Sequence, residues 1–317
     1  MKHLYAGLAF AFGLTAATAA QAEPVAIGTL PQGSLGFSIA SGVAQVVSNT
    51  AGINVRAVGQ GGSSVFIPAL NKGAIAFSTS NATEAVFAIS GTGNFDGRAN
   101  PKVRVAALLQ PFAVGIMVAA DSDIKTVEDL KGRPFPVGYA RQKLVKVIQD
   151  AVFAAAGMSE ADVDGVPVAN FVEGAGLLAQ GSVDGVLLAP GSGVVKKTNA
   201  QRAVRFISVP PGDAAAATIA KLLPGSYIRR VEPSKRLPEI AEAVDLVGYQ
   251  YALLTHTGAD EDLVYSMVKA LNESKAALIE THGSFRGFNP NDMATRTDGA
   301  PFHPGAIRFY KEAGIWE

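Results

Sequence analysis

The chain has no cysteine. Disulfides, thiolate nucleophiles, iron–sulfur clusters and cysteine-based zinc sites are excluded together, and the fold must be held by its core. Charge is scarce too. Charged side chains are 17% of the 317 residues, and 27 basic residues balance 27 acidic ones. Without a positive excess, the chain has no electrostatic footprint for nucleic acid. With 48% hydrophobic residues it is also too apolar to stay disordered. The four histidines, His3, His256, His282 and His303, lie too far apart for any paired-ligand spacing, so neither a metal nor a cofactor is expected. His282 reads as the C-terminal end of a helix and His303, before Pro304, as a turn ahead of the last helix. No G-x-S-x-G elbow and no P-loop is present. Gly174-Ala-Gly176-Leu-Leu-Ala179 matches a dinucleotide fingerprint, but it is short and lies mid-chain. It reads better as glycines that let a helix approach a strand. No catalytic constellation emerges, and the expectation is a protein that is not an enzyme.

The first residues read as a targeting segment. Lys2 and His3 precede an apolar stretch from Leu4 to about Ala17, and Ala20-Gln21-Ala22 gives an A-x-A site with cleavage after Ala22. The stretch is shorter than the ~20 residues of a membrane span, so a soluble protein exported to the periplasm is expected. The length suggests about two domains.

Beyond the leader, short apolar strands alternate with helices. Val25–Gly28, Ile53–Val58 and Ala74–Ser80 read as strands, and Leu35, Ile39, Val43, Val46 and Val47 recur at helical spacing. Asn81 is a plausible N-cap. Two apolar runs flank Pro111-Phe112, Gly91–Pro101 reads as a long surface loop, and Ser122–Gly138 reads as a short charged helix between strands. This alternation predicts a largely parallel sheet with helices on both faces.

Five polar, glycine-rich loops, TLPQGS, GQGGSS, STSN, YARQ and APGSG, each join a strand end to a helix start. In α/β sheets such loops gather where ligands bind, with free N–H groups and helix dipoles pointing there. They nominate Ser80, Gly191 and Ser192, and suit an anionic ligand, a carboxylate above all. Arg141, opening the helix after PVGY, is the candidate to grip that carboxylate. An ordinary solvated arginine is the alternative. Tyr139 beside it either walls the pocket or covers the strand end. Phe112, between the central strands, lines a cleft or plugs a hinge.

The IGT start with its glycine-rich loop, GQGGSSVFIPALNKGAIAFS, SDIKTVEDLKGRPFPVG and the closing HPGAIRFYKEAG together resemble the extracytoplasmic solute receptors of TRAP transporters, specifically the TAXI subgroup. The resemblance runs over essentially the whole chain after the leader. It implies an α/β, two-lobed, type II-like periplasmic binding protein, its ligand cleft between lobes joined by a hinge. By position it places ligand contacts at Thr29, Gly33, Ser34, Gly62, Ser63, Ser64 and Asn81. The chain departs from the family pattern at LPQGSLGF and at YARQKL, where an arginine stands in place of a Pro/Gly/Ser-rich loop. That points to a ligand with an extra or larger acid group.

On this reading, residues 1–22 are the leader, residues 23–120 with 250–317 form the first lobe, and residues 121–249 form the second. The implied function is capture of a small organic acid or amino acid, glutamate-like or a dicarboxylate, and its delivery to the membrane permease subunits of a TRAP transporter. The alternative is a periplasmic ligand sensor partnered with a sensor kinase.

Overall fold

A computed structural model describes residues 24–316. The proposed leader and its cleavage site lie outside the described residues. The elements run β1 (Val25–Thr29), α1 (Leu35–Ala51), β2 (Val55–Gly59), α2 (Ser63–Asn71), β3 (Phe77–Asn81), α3 (Ala82–Ser90) and β4 (Val103–Ala119). There follow β5 (Pro134–Gly138), α4 (Lys143–Ala155), β6 (Asp164–Val168), α5 (Phe171–Gln180), β7 (Gly185–Leu188), α6 (Gly193–Gln201), β8 (Val204–Ile207) and α7 (Asp213–Leu222). The chain closes with β9 (Tyr227–Val231), β10 (Val244–His256), α8 (Glu261–Glu273), α9 (Lys275–Thr281) and α10 (Pro304–Glu312). Among these, no helix is long and apolar enough to cross a membrane.

The expected strand–helix alternation is there, but the sheet is mixed where a largely parallel one was expected. β1 pairs in parallel with β2 and β3, and β5 with β6. β10 runs antiparallel to β3, β4 and β9, and β4 antiparallel to β7 and β8. The reason lies in β4 and β10. Each is long enough to serve both halves of the molecule, and they cross in opposite directions. β10 pairs with β3 through Tyr251–Leu254 and with β9 through Val244–Gly248. β4 gives Val103–Val114 to β10 and Gly115–Ala119 to β7 and β8.

The two apolar runs around Pro111-Phe112 are thus one 17-residue strand. Proline removes a ladder donor and is normally confined to edges and bulges. Here the pairing with β10 shifts register between Gln250 and Ala252, beside Pro111, and so absorbs it. Two further expectations change in detail. The charged helix within 122–138 is one 3-10 turn, Glu128–Leu130. The loop 91–101 is not wholly at the surface: a 3-10 turn, Gly93–Phe95, buries Asn94 and Phe95.

The amphipathic readings hold. Ile39, Val43, Val46 and Val47 of α1 are buried, as are Phe66, Ile67 and Leu70 of α2. Val264, Met267, Val268 and Leu271 of α8 are buried behind its N-cap Asp260. His303 caps α10, its side chain accepting from Gly305 N at 3.2 Å. Gly174 lets α5 approach the sheet: a Cβ there would meet Val186 at 3.0 Å and Pro136 at 3.2 Å. Two hydrophobic clusters result, one spanning the first half, the crossing strands and part of the second half (Phe135, Ile148, Phe153 and Ile219 among others), the other gathered around Tyr139, Phe171, Leu178, Val186 and Leu246.

Candidate functional site

Six helices start at one cleft. From the first half its wall takes Ser34, the N-cap of α1, Ser63, the first residue of α2, and Asn81, the N-cap of α3. From the second it takes Gln142, the N-cap of α4, Phe171, the first residue of α5, and Ser192, the N-cap of α6. Each start brings N–H groups unmet within the helix and the positive end of its dipole. Ser34, Asn81 and Ser192 use their side-chain oxygens as caps, accepting from Phe37 N at 3.0 Å, Glu84 N at 2.6 Å and Val195 N at 3.2 Å. Gln142 differs. Its Oε1 accepts from Phe171 N at 3.0 Å, while its Nε2 is buried without a partner.

The rest of the wall is apolar: Leu30, Leu35, Val114, Leu144, Val145, Ile148 and Leu187 among others. An aromatic stack backs it. Phe112 lies between Tyr251, 4.8 Å away at 19°, and Tyr249, 5.4 Å away at 13°. The register explains this, since Phe112 is opposite Tyr249 on the paired strands and Tyr251 follows two residues later on the same face. Burial pushes both tyrosine hydroxyls well above their usual pKa, so they act as neutral donors.

Glu84 sits on the cleft floor, 1% exposed. Its Oε1 accepts from Ser63 Oγ and from Asn94 Nδ2 at 2.7 Å, and its Oε2 from Ser80 Oγ. Burial raises its pKa, against the pull of those three bonds. No Lys, Arg or His belongs to the cleft wall. The starts of α2 and α3, the natural place for a ligand's anion, are thus already occupied by an internal carboxyl group.

The cleft is narrow, a cavity of about 70 Å³, and adjoins a roomier and more open chamber of about 660 Å³. The two share Leu35 and Phe112. The chamber wall holds Lys196, Arg229, Lys235, Arg236 and His282 and no acidic residue. His282 is the C-cap of α9, as its expected position at a helix end implies, and burial first, then Lys196, lowers its pKa.

The halves touch across the cleft through main chain. Val194 N donates to Gly33 O at 3.0 Å. Gly33 has φ +86°, a conformation glycine adopts without cost. Gly62 lies directly beneath the Arg141 carbonyl oxygen, where a Cβ would collide.

Of the residues nominated from sequence, the cleft brings together Ser34, Ser63, Ser80, Asn81, Phe112 and Ser192, and Gly191 joins the chamber. Phe112 both lines the cleft and sits on the crossing strands. Thr29, Gly33, Gly62, Ser64, Tyr139 and Arg141 are not on the cleft wall. Thr29 is buried, its hydroxyl 2.8 Å from that of Thr79. Ser64 Oγ is buried without a partner.

Arg141 lies outside the cleft wall: its side chain is exposed and lies over Gly61 of the first half. The cause is the turn before it. Gly138 (φ +82°) and Tyr139 (φ +45°) both take the left-handed conformation, and Gln142 N donates to Tyr139 O at 2.8 Å. The turn brings Gln142, not Arg141, onto the wall. Tyr139 itself is fully buried in the second cluster, covering the strand end.

Glu84, Gln142, Tyr249, Tyr251 and Arg229 went unread as site residues. Glu84 at the third position of a helix looks like an ordinary dipole partner. The tyrosines look like strand residues until β10 is known to cross the cleft.

Among the described residues no three His, Cys, Asp or Glu side chains are grouped to hold a metal. The profile of the NMT1-like family matches residues 27–314. Among solved structures, the alkanesulfonate-binding protein SsuA from Xanthomonas axonopodis pv. citri, bound to MOPS, is 16% identical, with 85% of this chain and 82% of that one covered and a TM-score of 0.51. A periplasmic transporter is 15% identical over 91% of each chain, with a TM-score of 0.58. A protein from Bordetella bronchiseptica RB50 is 13% identical over 92% of this chain and 98% of its own, with a TM-score of 0.54. At these identities the likeness speaks to fold, and it does not single out the TAXI subgroup. The fold is the α/β, two-lobed one of periplasmic binding proteins, and the chain belongs to the NMT1-like family.

Proposed function

We propose that this chain is an extracytoplasmic solute receptor that closes on a small organic acid and hands it to a membrane permease without changing it. The observation that carries the reading is the cleft itself. Six helix starts from two halves converge on it, and the halves meet through Gly33–Val194 and Gly62–Arg141. The lobes are proposed at 23–120 with 250–317 and at 121–249, β4 and β10 forming the hinge. Export to the periplasm behind a leader ending at Ala22 fits this role. A TRAP-type permease is the partner that the TAXI resemblance favours.

The wall disfavours a glutamate-like or dicarboxylate ligand held wholly inside the cleft. It carries one acid of its own and no cation to neutralise a second charge. A single acid group on an apolar body is favoured. A thermal-shift screen of organic acids and amino acids tests this. Ligand at 100 times its dissociation constant adds about 2.7 kcal/mol of stability, so a hit is plain. Recovery of the bound compound chemically altered by purified protein would replace the receptor reading with an enzymatic one.

A further inference from the structure

Resting on the receptor reading, we infer that the basic chamber beside the cleft is an anion subsite, which takes the acid group of an amphiphilic ligand whose apolar body fills the cleft past Phe112. Three independent observations meet here. First, Lys196, Arg229, Lys235 and Arg236 line one concavity without an acid among its wall residues. None of the four makes an ion pair or a side-chain hydrogen bond among the described residues. Behind the wall Glu239 is buried, its Oε1 accepting from Gly191 N at 2.6 Å, so the four cations outnumber the acid placed beside them. Second, Arg229 Nη1 is buried without a hydrogen-bond acceptor. An unmet guanidinium donor is costly unless an acceptor arrives, and its neighbour Arg230 instead pairs with Glu232 and Asp245. Third, the competing place for an acid, at the starts of α2 and α3, is filled by Glu84 with its three donors. A second acid group there would find those donors already taken.

The two spaces adjoin, with Leu35 and Phe112 in both walls, so a ligand reaching from one to the other passes these side chains. An alkyl or aryl chain is therefore buried among Leu144, Val145, Ile148 and the stacked rings, while its acid group lies in the chamber. Carboxylate and sulfonate heads share the needed chemistry.

The test uses calorimetry on the purified chain with butyrate, hexanoate, octanoate, octanesulfonate and octanol. Affinity is expected to rise about fourfold per added methylene, to fall with added salt, and to be lowest for octanol. Arg229→Gln is expected to weaken octanoate at least tenfold, and Arg230→Gln, one residue away and outside the chamber, less than twofold. Because Arg229 is half-buried, the exposed double substitution Lys235→Gln/Arg236→Gln serves as a second variant, with an expected loss of threefold or more. Equal loss for octanesulfonate supports a head-independent site; loss for one head alone supports it for that head and assigns the specificity. Octanol binding as tightly as octanoate, or unchanged octanoate affinity in both chamber variants, overturns the inference. If no acid binds while amino acids or sugars do, the inference fails and the receptor reading stands. If no small molecule of any class binds, both fail.

Discussion

The floor of the cleft and the wall of the chamber are opposites. The floor holds one buried acid, Glu84, met by three donors and no cation. The chamber holds four cations and no acid. Between them stands the stack of Phe112 on Tyr249 and Tyr251. An apolar partition thus separates the buried acid from the cations, and on the inference above a ligand lying across it is read for polarity along its length as well as for overall charge. The largest expected effect comes from removing that partition. Phe112→Ala deletes a ring that is 5% exposed and packed against two others. It should cost about 3 kcal/mol of stability, read by urea unfolding, and Phe112→Leu distinctly less. A loss under about 1 kcal/mol would mean that the ring is not packed and that floor and chamber are already one space.

A smaller effect is expected from Gly62→Ala, which acts on closure. The added Cβ meets the Arg141 carbonyl oxygen and the Gln142 side chain across the cleft. It strains the closed form and leaves the open form untouched. Ligand affinity should fall on the order of tenfold or more, about 1.4 kcal/mol per decade, with little change in the melting temperature of the unliganded protein. A large melting shift without an affinity change would show that the contact belongs to the resting fold and not to closure.

Glu84→Gln tests the floor. Burial raises the folded-state pKa of Glu84, so the folded chain holds its proton at pH values where the unfolded chain has released it. The group's contribution is therefore full below the usual carboxylate pKa and is lost as pH climbs through the raised folded value. The wild-type protein should lose stability relative to Glu84→Gln over that window. Parallel stability curves from mildly acidic to neutral pH would show that Ser63, Ser80 and Asn94 already hold the carboxylate as easily as water does.

How much of this was legible in the sequence follows from the range of the interactions. Short-range signals carried well. Asn81 and His303 cap the helices they were placed beside, and the apolar stripe of α1 is buried except for Leu35, which joins the cleft wall. The serines at helix starts reached the cleft because their position depends on a local turn. What depended on pairing between distant strands was hidden. Pro111 looked like a break because the register shift beside it, Leu109 and Gln110 against Tyr251, appears only once β4 is paired with β10, well over a hundred residues away. Arg141 looked like the ligand's grip because the left-handed pair Gly138–Tyr139, which turns Gln142 onto the wall instead, includes a tyrosine that sequence alone does not place at positive φ. Arg229 is an ordinary strand residue until β9 is set beside the chamber.

The smallest effect sets the background for the others. Gly174 and Gly176 lie two residues apart in α5, whose first residue Phe171 is part of the cleft wall. At Gly176 a Cβ meets nothing within 4 Å, so Gly176→Ala should gain about 0.5–1 kcal/mol from helix propensity. At Gly174 a Cβ meets Val186 at 3.0 Å and Pro136 at 3.2 Å. The same substitution there forces the helix off the sheet, and overpacking of this kind costs roughly 1–3 kcal/mol. Opposite signs in thermal unfolding mark Gly174 as a spacer and Gly176 as free. If Gly176→Ala leaves ligand affinity unchanged, losses at Phe112 and Gly62 are attributable to the cleft and not to general loosening of the second half. If instead it weakens binding as much as Gly62→Ala does, the cleft responds to the stability of its helices at large, and the contrast between floor and chamber loses its standing as the source of selectivity.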